Sequence, residues 1–389
     1  MKILITTFGY IPDRSGVPAV AKYLAEGLAE KGHELHIATA FNGNNVPAVE
    51  SINGVTVHRF NIWQNLFKKN KGDIGGYVDF VKELSMDVLI MECLMCDTTD
   101  VLLPHLKELR CKVIIHAHGA PWITSSFFSI KDNLKHTIGN TYNWFRWRNY
   151  QVLFKEASKY INATLSCSIC ATDYVYFSKL IKNNYIIDNS ADEMFFEELK
   201  DDFDVWKKYN IQNKQYILNI ATFDSRKNQA FLIESFCKSN LDNVSLVIAG
   251  TYKNDYYYKL VNIIKDLQSK KNIDIILLDE SVKREELPCL LKNASLFCVS
   301  SKWEEYPITL VEAMACGTPF LSTMVGNAHI LPGGITSRSN EEYPVLLRNL
   351  ILDPEHRERL SRQGREFALK VNSREAVISK LERILLSNI

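Results

Sequence analysis

Residues 1–40 read MKILITTFGYIPDRSGVPAVAKYLAEGLAEKGHELHIATA. ILITTF is a β-rich apolar run, and FGYIPDRSGVP is a Gly/Pro loop. AVAKYLAEGLAEKG then places apolar residues at helical spacing. Gly32 stands where a residue just past a helix end is expected, and ELHIATA reads as the next strand. Strand, loop, helix and strand in this order make the repeating unit of a parallel sheet covered on both faces.

The alternation continues through VTVHRF, DVLIM and KVIIHA, each set off by a helical or loop segment. A new series starts with YILNIA and runs through VSLVIAG, IDIILL, LFCVSS and PFLST. Between the two series lies NSADEMFFEELKDDFDVWKKYNI, polar and acidic, which reads as a linker near residues 190–212. The last stretch, from DPEHRERLSRQG onward, is helical in pattern. At roughly 150 residues per domain, a chain of 389 residues holds two domains. The expected fold is α/β, with two doubly wound parallel-sheet (Rossmann-like) domains. Their expected bounds are 1–192, joined by the C-terminal helix 373–389, and 193–372. Ligands of such sheets bind at the carboxyl ends of the strands, so a cleft between facing domains is the expected site.

Composition narrows the function classes. The chain is 46% hydrophobic and 23% charged with net charge +1, lacking the basic excess of a nucleic-acid binder. Its nine cysteines sit in apolar contexts such as LFCVSS and EAMACG, where a free thiol behaves as a small hydrophobe in a reducing compartment. The pairs Cys93/Cys96 and Cys167/Cys170 are separated by about 70 residues, against roughly 15–20 in a compact zinc ribbon. Core packing therefore explains them better than metal or redox chemistry. The opening residues lack the apolar core of a signal peptide, and no stretch approaches the ~20 apolar residues of a membrane span. A cytoplasmic location is expected, with peripheral membrane attachment open. TYNWFRWRNYQVLFKEASKYI (141–161) could rest on an anionic membrane or grip a lipid-linked acceptor. A core helix with snorkelling Arg and Lys ends is the weightier reading of it. Asp202-Phe203-Asp204 spells DxD, but in an acidic linker it reads as a solvated or helix-capping run.

Three loops lead from a strand to a helix start, where free N–H groups and a partial positive charge suit phosphate. They are Asp13-Arg14-Ser15-Gly16, Phe223-Asp224-Ser225-Arg226-Lys227-Asn228 and Glu304-Glu305-Tyr306-Pro307. Arg226 and Lys227 add the charge that a departing diphosphate needs, although a solvated basic turn would look the same. Gly16 permits close backbone approach to a ligand, or marks a plain turn. GxGxxG is absent there, so NAD has little support. After the third loop, Pro307 suits a first helical turn and Gly317 the residue past its end. Ile308, Leu310, Val311, Ala313, Met314 and Ala315 surround Glu312, and so apolar a helix is buried. Its acid then either points into a cleft toward ligand hydroxyls or pairs within the core. Glu304 lies roughly 10 Å from Glu312 if the intervening residues are helical, which suits two ends of one hydroxyl-rich ligand. His118 ends the VIIHA run, where a parallel strand delivers a side chain to the ligand edge. His116 points to the same sheet face. A lone His is otherwise more often structural.

EEYPITLVEAMACGTP (304–319) resembles the E-x7-E signature of retaining glycosyltransferases of family 4, which have the GT-B fold. The likeness spans the chain. MKILITTFGYIP…GHELHIATA resembles the opening strand–helix–strand, HAHG the acceptor-side His-Gly, and IIDNSAD the Asn-Gly-x-Asp segment entering the linker. The resemblance implies an acceptor domain first and a donor domain second. It implies Glu312 on the donor ribose, Glu304 on the transferred sugar, Lys227 on the diphosphate and His118 near sugar and acceptor. Gly16, Arg226, Tyr306, Pro307 and Ile308 complete the implied donor site. One departure matters: family members carry Gly-Arg where this chain has Ile220-Ala221-Thr222, and Arg226 is the available substitute. Asn189-Ser190 in place of Asn-Gly is milder. The implied activity is retaining, metal-independent and cofactor-free transfer from a nucleoside-diphosphate sugar, UDP-linked by expectation. The implied acceptor is a glycan or lipid-linked molecule in bacterial surface-polysaccharide assembly. The alternatives are a non-catalytic nucleotide-sugar-binding protein, suggested by the missing Arg, and a GT-B-type phosphorylase or epimerase.

Overall fold

The structure is a computed structural model that describes residues 1–13, 16–41, 46–65, 69–120, 134–198, 204–213, 215–279 and 282–387. Within the helix that begins at Leu134, side chains are described from Trp144 on. Arg14 and Ser15 of the first loop, and Asp202 and Phe203 of the DxD spelling, lie outside the described residues. The chain divides into two compact units, Met1–Asp188 with Val377–Ile389, and Asn189–Ala376.

The first unit is built on eight strands: β1 (Lys2–Thr7), β2 (Glu34–Ala40), β3 (Val49–Ile52), β4 (Val55–Phe60), β7 (Val88–Glu92), β8 (Lys112–His116), β9 (Ala163–Ser166) and β10 (Asn184–Ile186). A separate short hairpin pairs β5 (Ile62–Gln64) with β6 (Asn70–Gly72). The large sheet runs β10-β9-β8-β7-β1-β2-β4-β3 and is parallel except at the β3–β4 edge. β1 and β7 are almost wholly buried because helices cover both faces, which is why they read as unbroken apolar runs. Successive residues serve opposite faces: Ile3 and Ile5 join one core cluster and Leu4 the other. Helix Gly16–Glu30 supplies Val20, Ala21, Leu24, Ala25 and Leu28 to the first cluster and ends before Gly32 at φ +86°. The same cluster takes Val377, Ile378, Leu381 and Leu385 from helix Arg374–Leu386. Gly27 permits this approach, since a Cβ there would run into Ile378.

The second unit carries β11 (Gln215–Ile220), β12 (Val244–Ala249), β13 (Asp274–Leu278), β14 (Leu296–Val299), β15 (Phe320–Thr323) and β16 (Gly334–Ser337). They form one sheet in the order β13-β12-β11-β14-β15-β16, with parallel pairing throughout. This is the doubly wound order, in which the chain leaves β11 in one direction and resumes at β14 in the other. The crevice of this sheet therefore opens at the carboxyl ends of β11 and β14. In the first sheet, β1 lies between β2 and β7, so the corresponding place is the end of β1 and β7.

Candidate active site

In the second unit, β11 and β14 are neighbours in register Ile217↔Leu296, so the loops that follow them start at one sheet edge. After β11 the chain turns where Asp224 Oδ1 accepts the Arg226 backbone N–H at 2.6 Å, and helix Gln229–Ser239 begins after Asn228 at φ +57°. After β14, the Ser300 hydroxyl donates to the Lys227 carbonyl at 2.9 Å, and the Lys302 N–H to the Arg226 carbonyl at 2.8 Å. These two bonds lace the loops together and fix what their side chains meet. Glu304 Oε1 accepts Lys227 Nζ at 2.5 Å and the Ser301 hydroxyl at 2.7 Å, while Arg226 Nη1 lies 3.4 Å from its Oε2. The Arg226 guanidinium also lies over the Trp303 ring, 5.9 Å from its centroid. Glu304, Lys227 and Arg226 are thus one ion-paired group at the switch point. Within Ile220-Ala221-Thr222, the stretch that departs from the family pattern, the Thr222 carbonyl accepts Gln229 Nε2 at 2.9 Å.

Helix Ile308–Ala315 follows, with Pro307 at its N-cap and Gly317 past its end at φ +73°. Glu312 is 4% exposed among buried Leu310, Val311, Ala313, Met314 and Ala315. Its Oε1 accepts Arg284 Nη2 at 3.1 Å, and the Arg284 side chain is 53% exposed and stacked on Phe195. Burial pushes the Glu312 carboxyl above the usual range, and the single guanidinium only partly counters it. In this structure the buried acid therefore has a protein partner, one of the two arrangements expected for it. Arg284 itself was not foreseen, because a charged residue in the polar stretch KREEL gives no local sign of a partner 28 positions on.

Tyr306 turns inward: it is buried, and its hydroxyl accepts Asn372 Nδ2 at 2.9 Å. Pro307 is buried beside it, while Ile308 is half-buried. Gly326 adopts φ +48°, and a Cβ there would collide with the Glu305 carbonyl. This close approach holds the backbone that carries Glu304, and sequence inspection overlooked it.

In the first unit, Gly16 opens its helix at φ +48° with open space where a Cβ would lie. His118 follows β8 at φ +59°, next to Gly119 at φ +93°. Its Nε2 makes a short contact with Oε2 of Glu92, the last residue of neighbouring β7. His116, paired in register with Glu92, brings Nδ1 within 3.0 Å of Oε2 and 3.2 Å of Oε1. Burial would raise the Glu92 carboxyl, but the two imidazoles outweigh it and hold it at about 2. Burial and then His116 lower the His118 imidazole against the opposing effect of Glu92. One carboxylate and two imidazoles within 4.8 Å of one another are also a donor set suited to a divalent ion. Glu92 escaped sequence reading because it ends a strand whose other residues are apolar.

All nine cysteines are free thiols, and Cys96 Sγ lies 3.4 Å from the Thr98 hydroxyl. Asp204 caps helix Val205–Tyr209, its Oδ1 accepting the Lys207 N–H at 3.0 Å. In helix Leu134–Ala157, Tyr150, Phe154 and Ala157 enter the core, whereas Phe145 and Val152 are exposed. Among the described residues, no helix is long and apolar enough to cross a membrane.

The two parallel-sheet units define the class: this is the GT-B fold of glycosyltransferases. It matches sucrose-phosphate synthase from Thermosynechococcus elongatus with a TM-score of 0.73 at 14% identity, over 98% of each chain. Anabaena Alr3699/HepE in complex with UDP matches with a TM-score of 0.72 at 15% identity, over 99% of each chain. Residues 201–367 match the family "Glycosyl transferases group 1". It is similar to the N-acetyl-alpha-D-glucosaminyl L-malate synthase of Bacillus anthracis, 23% identical over 99% of this chain and 96% of that protein.

Proposed function

We propose that the protein is a retaining, metal-independent glycosyltransferase that uses a UDP-sugar and delivers the sugar to a hydroxyl of a glycan or lipid-linked acceptor. The observation that carries this reading is the Glu304–Lys227–Arg226 group at the ends of β11 and β14, with a buried, under-compensated Glu312 on the following helix. The diphosphate takes Lys227 and Arg226 as its counter-charges, which frees Glu304 for hydroxyls of the transferred sugar. Glu312 accepts the ribose hydroxyls, and exposed Arg284 turns away from it at little cost. In the transfer, the bond from the anomeric carbon to the diphosphate oxygen breaks. The acceptor oxygen bonds on the same face, and the departing diphosphate takes its proton. Stabilisation of the leaving group by fixed cations and helix N-termini supplies most of the acceleration. The UDP complex of the HepE structure supports the choice of nucleotide. The family resemblance supports a role in bacterial surface-polysaccharide assembly at the cytoplasmic side of the membrane.

Ile220-Ala221-Thr222 in place of the family's Gly-Arg favours a second reading, non-catalytic binding of nucleotide sugars. One experiment separates them: UDP-, GDP- and ADP-sugars are screened by thermal shift, then by nucleotide release with a panel of glycan and lipid-linked acceptors. UDP-sugar stabilisation with acceptor-dependent release of UDP is expected. Stabilisation without release or hydrolysis favours the second reading. Phosphorolysis of a glycoside, or interconversion of sugar nucleotides without acceptor, would replace both.

A further inference from the structure

We propose that Glu92 is a positioning residue for His118: its carboxylate holds the imidazole by Nε2–H and leaves Nδ1 bare for a sugar hydroxyl. The proposal rests on the role near sugar and acceptor that the family resemblance implies for His118.

The register brings the three groups together. Glu92 ends β7 and lies opposite His116 on β8. Two residues later the chain turns through left-handed φ at His118 and Gly119, laying the His118 ring beside that of His116, 3.9 Å between centroids and tilted 40°. A histidine at φ +59° is strained, and such strain persists only where its surroundings over-determine it. Here the Glu92 contact is the constraint. The loop beyond Glu92 is turned the same way, with Cys93 at φ +69° and Met95 at φ +61°. The Cys93 N–H donates to the His116 carbonyl at 2.8 Å and ties that loop to β8.

Hydrogen-bond accounting then assigns the protons. An ionised carboxylate only accepts, so each imidazole must face Glu92 with an N–H. For His116 that is Nδ1, and its Nε2 is buried with no partner among the described residues. A bare acceptor nitrogen fits that position better than a stranded N–H donor. For His118 the donor is Nε2, which leaves Nδ1 as the acceptor. Glu92 and His116 are fully buried, while the His118 ring keeps about a tenth of its surface open, so ligand access runs through His118. Among the described residues, Asp173 also faces the cluster, acting on His116 and accepting the Ser166 hydroxyl at 2.5 Å, and the Cys93 thiol lies near Glu92.

The test compares wild type with Glu92→Gln by nitrogen-15 correlation spectra of labelled histidine and by steady-state kinetics. The wild type should show His118 as the Nε2–H tautomer, and E92Q a mixture. With UDP-sugar and acceptor, E92Q should lose about 10²-fold in kcat, the order expected when a group that positions the sugar is displaced by about 1 Å, while the KM for donor stays within about twofold. E92Q/H118A should be no slower than H118A, since Glu92 acts only through His118. Glu92→Asp, which keeps the charge, should retain the tautomer bias and serves if E92Q fails to fold. An unchanged tautomer in E92Q, or additive losses in the double variant, overturns the proposal. So does one equivalent of zinc that wild type retains through dialysis and E92Q does not. The spectra need no turnover, so a tautomer shift in a protein inactive toward every donor would sink the glycosyl-transfer reading and leave the positioning intact.

Discussion

Replacing Glu312 by Gln tests whether this acid serves the ligand or the fold. Glu312 is 4% exposed and its one charged partner among the described residues, Arg284, has a side chain 53% exposed. An ion pair with so exposed an arm contributes about 0–1 kcal/mol, whereas taking a carboxylate out of water costs several kcal/mol. The charge at 312 is therefore a net burden on the ligand-free protein, as its upward-shifted carboxyl implies. A raised folded-state pKa means that the native state holds more protons than the unfolded state just above the ordinary carboxylate range. Stability then falls as pH rises through that window. E312Q lacks this fall, so the variant should match wild type at pH 4 and equal or exceed it at pH 7. For the ligand the sign reverses. A hydroxyl bonded to a carboxylate is worth about 1.5–3 kcal/mol, so weakening one such bond should raise the Kd for UDP-sugar by about 10–100-fold. Thermal denaturation with and without UDP-sugar reads both effects, and calorimetry checks the Kd. Wild-type affinity in E312Q would refute the ribose assignment. A loss above about 2 kcal/mol, roughly 4–8 °C for a unit of this size, would make Glu312 a structural acid instead.

Lys227→Ala should lower kcat by about 10²–10³-fold with little change in Tm, because the Lys227–Glu304 pair is partly solvated; steady-state kinetics and a melt decide this. Gly326→Ala, which forces a Cβ against the Glu305 carbonyl at φ +48°, should cost on the order of 1–3 kcal/mol in urea unfolding and weaken donor binding as well. His118→Ala should leave the Kd for UDP-sugar unchanged and slow turnover, so equal loss of both would reassign it to donor binding. Glu92, held at about 2, contributes stability that is present above the ordinary carboxylate pKa and is lost as pH falls toward 2. E92Q should flatten that part of the acid transition in urea melts at successive pH values.

The long strands were legible because parallel strands buried on both faces leave unbroken apolar runs, as in VLIM and VSLVIA. β9, β10 and β16 were not, being three or four residues long and formed by ATLS, NYI and GITS, which have no such run. Burial of Glu312 was readable from its neighbours on one helix, since helical spacing is local. Its partner was not, because Arg284 arrives from another segment. The Lys227–Glu304 contact depends on β11 lying beside β14, an adjacency that chain order conceals. For the same reason Glu92 passed as the end of an apolar strand until β8 set two histidines against it.

The helix Arg374–Leu386 completes a core whose other members lie hundreds of residues earlier. On a ribosome the first unit therefore emerges with the strip around Leu24, Gly27 and Leu28 uncovered, and waits through translation of the whole second unit before Ile378 and Leu381 arrive. The unit encoded second can mature first. A chain stalled or nicked before that helix would leave the apolar strip around Leu24 and Leu28 open to water.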